Sequence, residues 1–170
     1  MSDTPTASDG QDQGGERPIR TFLVVVDQSE EMRAALRFAC KRARNTGGQV
    51  ALLRVVEPAE FQHFASIGKI MVEEARAEAE ELLQRLAAEV NRCSEHVPIL
   101  YVREGKPADE LIKLIEEEPT ISILVLAAGA GPDGPGPLVT GLSGKLGRAL
   151  RIPVTVVPGQ LTDEQIDVLA

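Results

Sequence analysis

Ile121-Ser-Ile-Leu-Val-Leu-Ala127 runs into Gly129-Ala-Gly-Pro-Asp-Gly-Pro-Gly-Pro137, then a helix-like stretch, then Ile152-Pro-Val-Thr-Val-Val-Pro158. Strand, Gly-rich turn, helix and strand in that order is how doubly wound α/β domains build a ligand crevice at the carboxyl ends of parallel strands. Upstream, Thr21-Phe-Leu-Val-Val-Val26, Val50-Ala-Leu-Leu-Arg-Val-Val56 and Pro98-Ile-Leu-Tyr-Val102 are near-continuous apolar runs. Such runs mark strands covered on both faces.

Helical patterns fill the gaps. Met32, Ala35, Leu36, Ala39 and Ala43 recur at helical spacing, with Ser29 as a cap and Glu30 and Glu31 near the positive dipole end. Gly47-Gly48 stops that helix. Ala59 to Gly68 reads as a loop carrying Phe61 and Phe64, more readily core anchors than a cover for the crevice mouth. A long helix follows with the stripe Ile70, Met71, Ala75, Ala79, Leu82, Leu83, Leu86 and Val90, and with Glu81 and Arg85 paired across one turn. Gly105-Lys-Pro107 opens a further helix that runs to Pro119. Leu142 to Leu150 reads as a weaker helix, because Gly144 and Gly147 each cost about 1 kcal/mol relative to Ala. Thr162 caps one or two final turns. Crossovers of this length force parallel pairing and place helices on both faces. The fold expected is α/β, a five-stranded parallel sheet between helices. The pattern does not fix the strand order.

Among 170 residues, 18 Lys and Arg stand against 26 Asp and Glu, a net charge of -8. That disfavours nucleic acid or an anionic membrane as a partner. No apolar run approaches the roughly 20 residues of a membrane span. The N-terminus lacks the charged-then-apolar pattern of a secretory signal. Cys40 and Cys93 read as buried thiols in a reducing cytoplasm. With no Trp and one Tyr, no aromatic platform for bases is expected. Residues 1–18 are too polar to offset chain entropy and read as a disordered tail. The domain spans 19–158, with 159–170 as a C-terminal extension.

Gly129-Ala-Gly131-Pro-Asp-Gly134 matches the dinucleotide fingerprint, but Pro135 and Pro137 delay the helix and no acidic residue stands about 20 positions on. The Walker pattern fails: Val139 takes the place of its glycine and Leu146 that of its Ser or Thr. Phosphate is cradled by converging N–H groups, and three loop prolines remove three of them. Asp133 adds a negative charge, while Lys145 and Arg148 could supply positive charge from the helix. The loop is therefore either a stiff exposed connection or a weak phosphate seat. Asp27, at the carboxyl end of the first strand, suits either a crevice contact or a helix cap. His63 and His96 have no acid or Cys at ligand spacing, so no metal site is expected. Ser29 and Ser143 lack a His partner and a nucleophile elbow, so no catalytic residue is assigned. Glu116-Glu-Glu118 is a solvated surface run.

From Phe22 onward the chain resembles the universal stress protein family. Val24-Val-Val-Asp27-Gln-Ser29 is similar to its first strand ending in Asp; Leu53-Arg-Val-Val-Glu-Pro58 is similar to its second. Glu104-Gly-Lys-Pro107 resembles its G-x-P helix start, and Leu124-Val-Leu-Ala with Pro153-Val-Thr-Val-Val157 resembles its closing strands. The resemblance implies an adenine-nucleotide alpha-hydrolase-like fold with strand order 3-2-1-4-5. It also implies a cytoplasmic homodimer paired through the Pro153–Pro158 edge strand, acting on an unknown protein partner.

Family members that bind ATP carry G-2x-G-9x-G-(S/T) after the fourth strand. Glycine spacing selects Gly131, Gly134 and Gly144, but Lys145 then stands in place of Ser or Thr. An ungapped placement puts Ala127, Ala130 and Thr140-Gly141 on the motif, with Thr140 or Ser143 left to supply a hydroxyl. The resemblance thus places the chain near the branch without tight ATP binding. No cofactor is required, with ATP or AMP as the alternative. The site residues expected are Asp27, Val56, Gly129, Gly131, Gly134, Thr140 and Ser143. The function implied is that of a non-catalytic stress-response or regulatory protein with a degenerate nucleotide site, and the alternative is an ATP- or AMP-binding switch.

Overall fold

The computed structural model of the chain describes residues 18–58 and 65–170. The tail up to residue 17 and the positions Phe61, His63 and Phe64 lie outside the described residues. The elements run β1 (Thr21–Val25), α1 (Met32–Thr46), β2 (Gln49–Val56), α2 (Ala65–Ser94), β3 (Ile99–Glu104), α3 (Pro107–Glu117), β4 (Ile121–Ala128), α4 (Pro137–Gly141), α5 (Lys145–Ala149), β5 (Val154–Pro158) and α6 (Asp163–Leu169).

Every strand pair is parallel, and the sheet order is β3-β2-β1-β4-β5. The order agrees with the family resemblance, and the continuous apolar runs are explained by burial on both faces. Phe22, Val24, Val50 and Leu52 face α1, α2 and α6, while Leu23, Ala51, Leu53 and Leu124 face the side packed by α3 and α5. Side chains alternate along each strand, so one strand feeds both cores. No helix among the described residues is long and apolar enough to cross a membrane.

Capping follows the sequence at Gly47 and Thr162, but α1 starts later than read: its N-cap is Glu31, and its first turn holds neither Glu30 nor Glu31. Ser29 Oγ accepts the Met32 N–H at 3.3 Å, and Gly47 closes α1 onto the Ala43 carbonyl. Glu81 pairs with Arg85 at 3.0 Å. Thr162 and Gln165 form a reciprocal capping box, with Gln165 N–H donating to Thr162 Oγ1 at 3.3 Å and Thr162 N–H to Gln165 Oε1 at 2.9 Å.

Four further features differ from the sequence reading. The long helix already includes Ala65, so the expected loop to Gly68 ends earlier. The stretch read as one helix from Leu142 to Leu150 is a turn at 142–144 followed by the short helix α5, and a separate short helix, α4, precedes it. Gly144 precedes α5 in a non-helical conformation (φ -117°, ψ -133°), and Gly147 lets α5 pack so close to the Leu142 carbonyl oxygen that a Cβ there would clash with it. Cys93 is only half-buried, whereas Cys40 is buried beside it in the core under α1 and α2. Finally, the C-terminal residues fold back on the domain. Ile166 is buried in the core against α1, and Arg37 clamps the helix from outside. Its Nε and Nη2 donate to the two oxygens of Asp167 at 2.9 and 2.8 Å, and Nη1 lies 3.1 Å from Asp163. Lys41 adds a contact to Asp167 at 3.3 Å.

Candidate functional site

The carboxyl ends of β1, β2 and β4 open into a cavity of about 420 Å³. That size lies within the range of small-ligand pockets. Its floor comes from Val25, Val26 and Asp27 after β1, Arg54 to Glu57 at the end of β2, and Leu126 and Ala127 of β4. One wall is the inner face of α2, with Ala75, Glu78, Ala79 and Leu82. The other wall is the proline-containing segment Pro135 to Val139, with Pro107 at the start of α3. Walls and floor are mostly apolar. Among the described residues its charges are one cation, Arg54, and three carboxylates, Asp27, Glu57 and Glu78.

Asp27 performs both roles read for it. It lines the cavity, and its Oδ1 accepts the Ser29 N–H at 2.8 Å and the Ser29 hydroxyl at 2.6 Å. One carboxylate oxygen therefore fixes the turn into α1, and Oδ2 has no hydrogen bond among the described residues. Val56 also lines the cavity, and its carbonyl accepts the Gly105 N–H at 3.0 Å.

Gly129, Gly131, Gly134, Thr140 and Ser143 do not line it. The glycines form a loop closed on itself: Gly134 N–H donates to the Gly131 carbonyl at 3.1 Å. The Gly134 carbonyl returns so close to Gly129 that a Cβ there would lie 2.8 Å from it. Thr140 donates its hydroxyl to the Gly136 carbonyl at 2.9 Å, and Ser143 donates to the Thr140 carbonyl at 3.0 Å. A hydroxyl has one proton to give, and here both go to main chain. Pro135 and Pro137 leave three amides among the five wall residues 135–139. Lys145 and Arg148 lie outside the cavity; Lys145 sits 3.7 Å from Asp109.

His96 lies apart from the cavity, its Nδ1 at 3.0 Å from the Ser94 carbonyl. Among the described residues no cluster of three His, Cys, Asp or Glu could hold a metal ion. The residue that sequence reasoning passed over is Arg54. Its signal was present: a single cation inside the apolar run Val50–Val56. Glu78 and Leu82 were legible only as helix-face positions, because their approach to the sheet edge depends on how α2 packs.

With this geometry, the model of the universal stress protein family matches residues 18–158. The chain belongs to the universal stress protein family. Its helix α6 lies beyond the matched residues. The fold is similar to that of the universal stress protein UspA from Lactobacillus plantarum, with TM-score 0.69 and 19% identity over 84% of this chain and 99% of that one. It is also similar to a universal stress protein in complex with cAMP, with TM-score 0.52 and 17% identity over 85% and 100% of the two chains. A third similar structure is the universal stress protein from Archaeoglobus fulgidus in complex with dAMP, with TM-score 0.50 and 16% identity over 83% and 99%. No curated protein matches the chain.

Proposed function

We propose that this chain is a non-catalytic stress-response or regulatory protein of the cytoplasm whose crevice is a degenerate nucleotide site, with no triphosphate clamp and no required ligand. The observation that carries the reading is the wall after β4. There, prolines replace amide donors; beyond the wall the Thr140 and Ser143 hydroxyls donate to main chain, and among the described residues the three carboxylates of the crevice outnumber its one cation. A triphosphate would bring several negative charges against that balance with few donors to meet them.

The second reading is a switch in which an adenine nucleotide such as AMP occupies the crevice and biases a surface read by a protein partner. It is supported by the 420 Å³ cavity with Asp27 and Val56 on its floor. It is supported too by the cAMP and dAMP held by two proteins of similar fold. Calorimetric titration separates the two readings. Micromolar AMP binding that disappears in Asp27→Ala favours the switch, and its absence at millimolar nucleotide favours the ligand-free reading. Phosphate release from ATP by the purified protein should equal that of buffer; a rate above buffer that scales with protein would reject the non-catalytic reading.

The assembly proposed is a homodimer paired through β5, which is an edge strand with Val156 exposed. An unpaired edge presents free N–H and C=O groups to a second copy. Val156→Lys should then yield monomers in light scattering, and an unchanged dimer mass would reject that pairing.

A further inference from the structure

We propose that Arg54 is the anion seat of the crevice, and that the ligand it selects is an adenine nucleotide carrying a single phosphate group. This rests on the crevice being a nucleotide site and names what holds the phosphate there. Arg54 lies in β2 between Leu53 and Val55, both buried, and shares its face of the sheet with Val50 and Leu52. A guanidinium in such a strand pays a desolvation cost unless it has partners. Its one hydrogen bond among the described residues runs from Nη1 to the Val26 carbonyl at 3.1 Å. That bond holds the half-buried head at the carboxyl edge of the sheet, between the ends of β1 and β2. No salt bridge joins it to any described carboxylate, although Asp27, Glu57 and Glu78 share the cavity. A guanidinium presents five N–H donors in a planar fork suited to two phosphate oxygens, and one donor is taken.

The phosphate seat therefore moves from the loop after β4 to the ends of β1 and β2. The same residues limit its charge. One cation offsets the charge of a cyclic monophosphate and part of the charge of AMP, about -1.5 to -2 at neutral pH, and each further phosphate adds repulsion from the three carboxylates of the lining. The Val26 contact orients the fork through one of its own donors, so less order is lost when the anion arrives.

The test titrates adenosine, AMP, cyclic AMP and ATP into the full chain, the Arg54→Gln variant and the Arg54→Lys variant. For the full chain, AMP or cyclic AMP should bind about tenfold or more tighter than adenosine. That preference should vanish in Arg54→Gln while adenosine affinity stays the same, and Arg54→Lys should retain part of it. Rising salt should weaken AMP binding to the unmodified chain and leave adenosine binding unchanged, a readout that does not depend on a variant folding. An AMP-to-adenosine ratio that is the same in Arg54→Gln, or near one in the full chain, overturns Arg54 as the seat and leaves the nucleotide site standing. No binding of any of the four ligands to the full chain overturns both.

Discussion

Ile166→Ala tests whether α6 is part of the folded unit. The Ile166 side chain is 1% exposed and packs into the core between α6 and α1. The substitution removes three carbons. At about 0.8 kcal/mol per buried carbon the transfer loss is about 2.4 kcal/mol. A rigid cavity would add to this, but α6 is short and at the surface, so its neighbours can close in and the total should stay at about 2–3 kcal/mol. In a protein of this size that corresponds to a fall in Tm of roughly 5–10 °C. The assay is urea unfolding, in which the midpoint should drop with the slope unchanged. Val168→Ala is the control: Val168 is 87% exposed on the same helix, so its truncation should stay within about 0.5 kcal/mol of the parent. The global loss cannot exceed the docking free energy of α6, because beyond that the helix detaches and the rest unfolds at its own midpoint. Equal midpoints for Ile166→Ala and Val168→Ala would refute the reasoning and leave α6 as an appendage.

Three further outcomes follow from the packing and the charges. Gly147→Ala should destabilise the protein by about 1–3 kcal/mol, because the new Cβ must displace the Leu142 carbonyl, now 1.8 Å from that position. Gly141→Ala, whose Cβ would meet Leu146 atoms at an ordinary 3.6 Å, should be tolerated; equal thermal midpoints for the two would contradict the proposed crowding. Hydrogen bonds from Arg37, then desolvation opposing and Lys41 assisting, leave the Asp167 carboxyl below its ordinary value of 3.8. Its stabilising contribution is thus complete above 3.8 and is lost as pH falls through the depressed native value, so the stability curves of the parent and Asp167→Asn should converge in acid and separate toward neutrality; parallel curves would contradict this. Burial, then the neighbouring Cys93, pushes the Cys40 thiol up, so alkylation near neutral pH should modify half-buried Cys93 first, as peptide mass spectrometry can show; equal rates would reject this difference.

The strands were legible because a covered parallel strand has no polar alternation to disguise it, as in Thr21–Val26 and Ile121–Ala127. Their order was not, since nothing in an apolar run names its neighbour; the order came only with the family resemblance. The late start of α5 was hidden because Gly144 and Gly147 both read in sequence only as poor helix formers, whereas Gly144 takes a non-helical conformation and Gly147 makes a close approach to Leu142. The Thr162 cap was visible locally, but the docking of α6 rests on Arg37 meeting Asp167, 130 positions away. In the crevice, Asp27 and Val56 could be found from the rule that ligands sit at the carboxyl ends of strands. The glycines drew attention for the same reason, yet the loop closes on itself and turns Pro135, Pro137 and Leu138 to the cavity instead. Arg54 escaped notice because a lone charge in a strand carries no spacing pattern.

The affinity of ATP relative to AMP for the full-length purified protein, freed of nucleotide, measured by titration in one buffer, bears most directly on the crevice. With the wall after β4 poor in free donors and three carboxylates facing the extra phosphates, ATP should bind no more tightly than AMP. An ATP affinity about tenfold or more above that of AMP would show that the loop grips the β- and γ-phosphates after all, and would contradict the account.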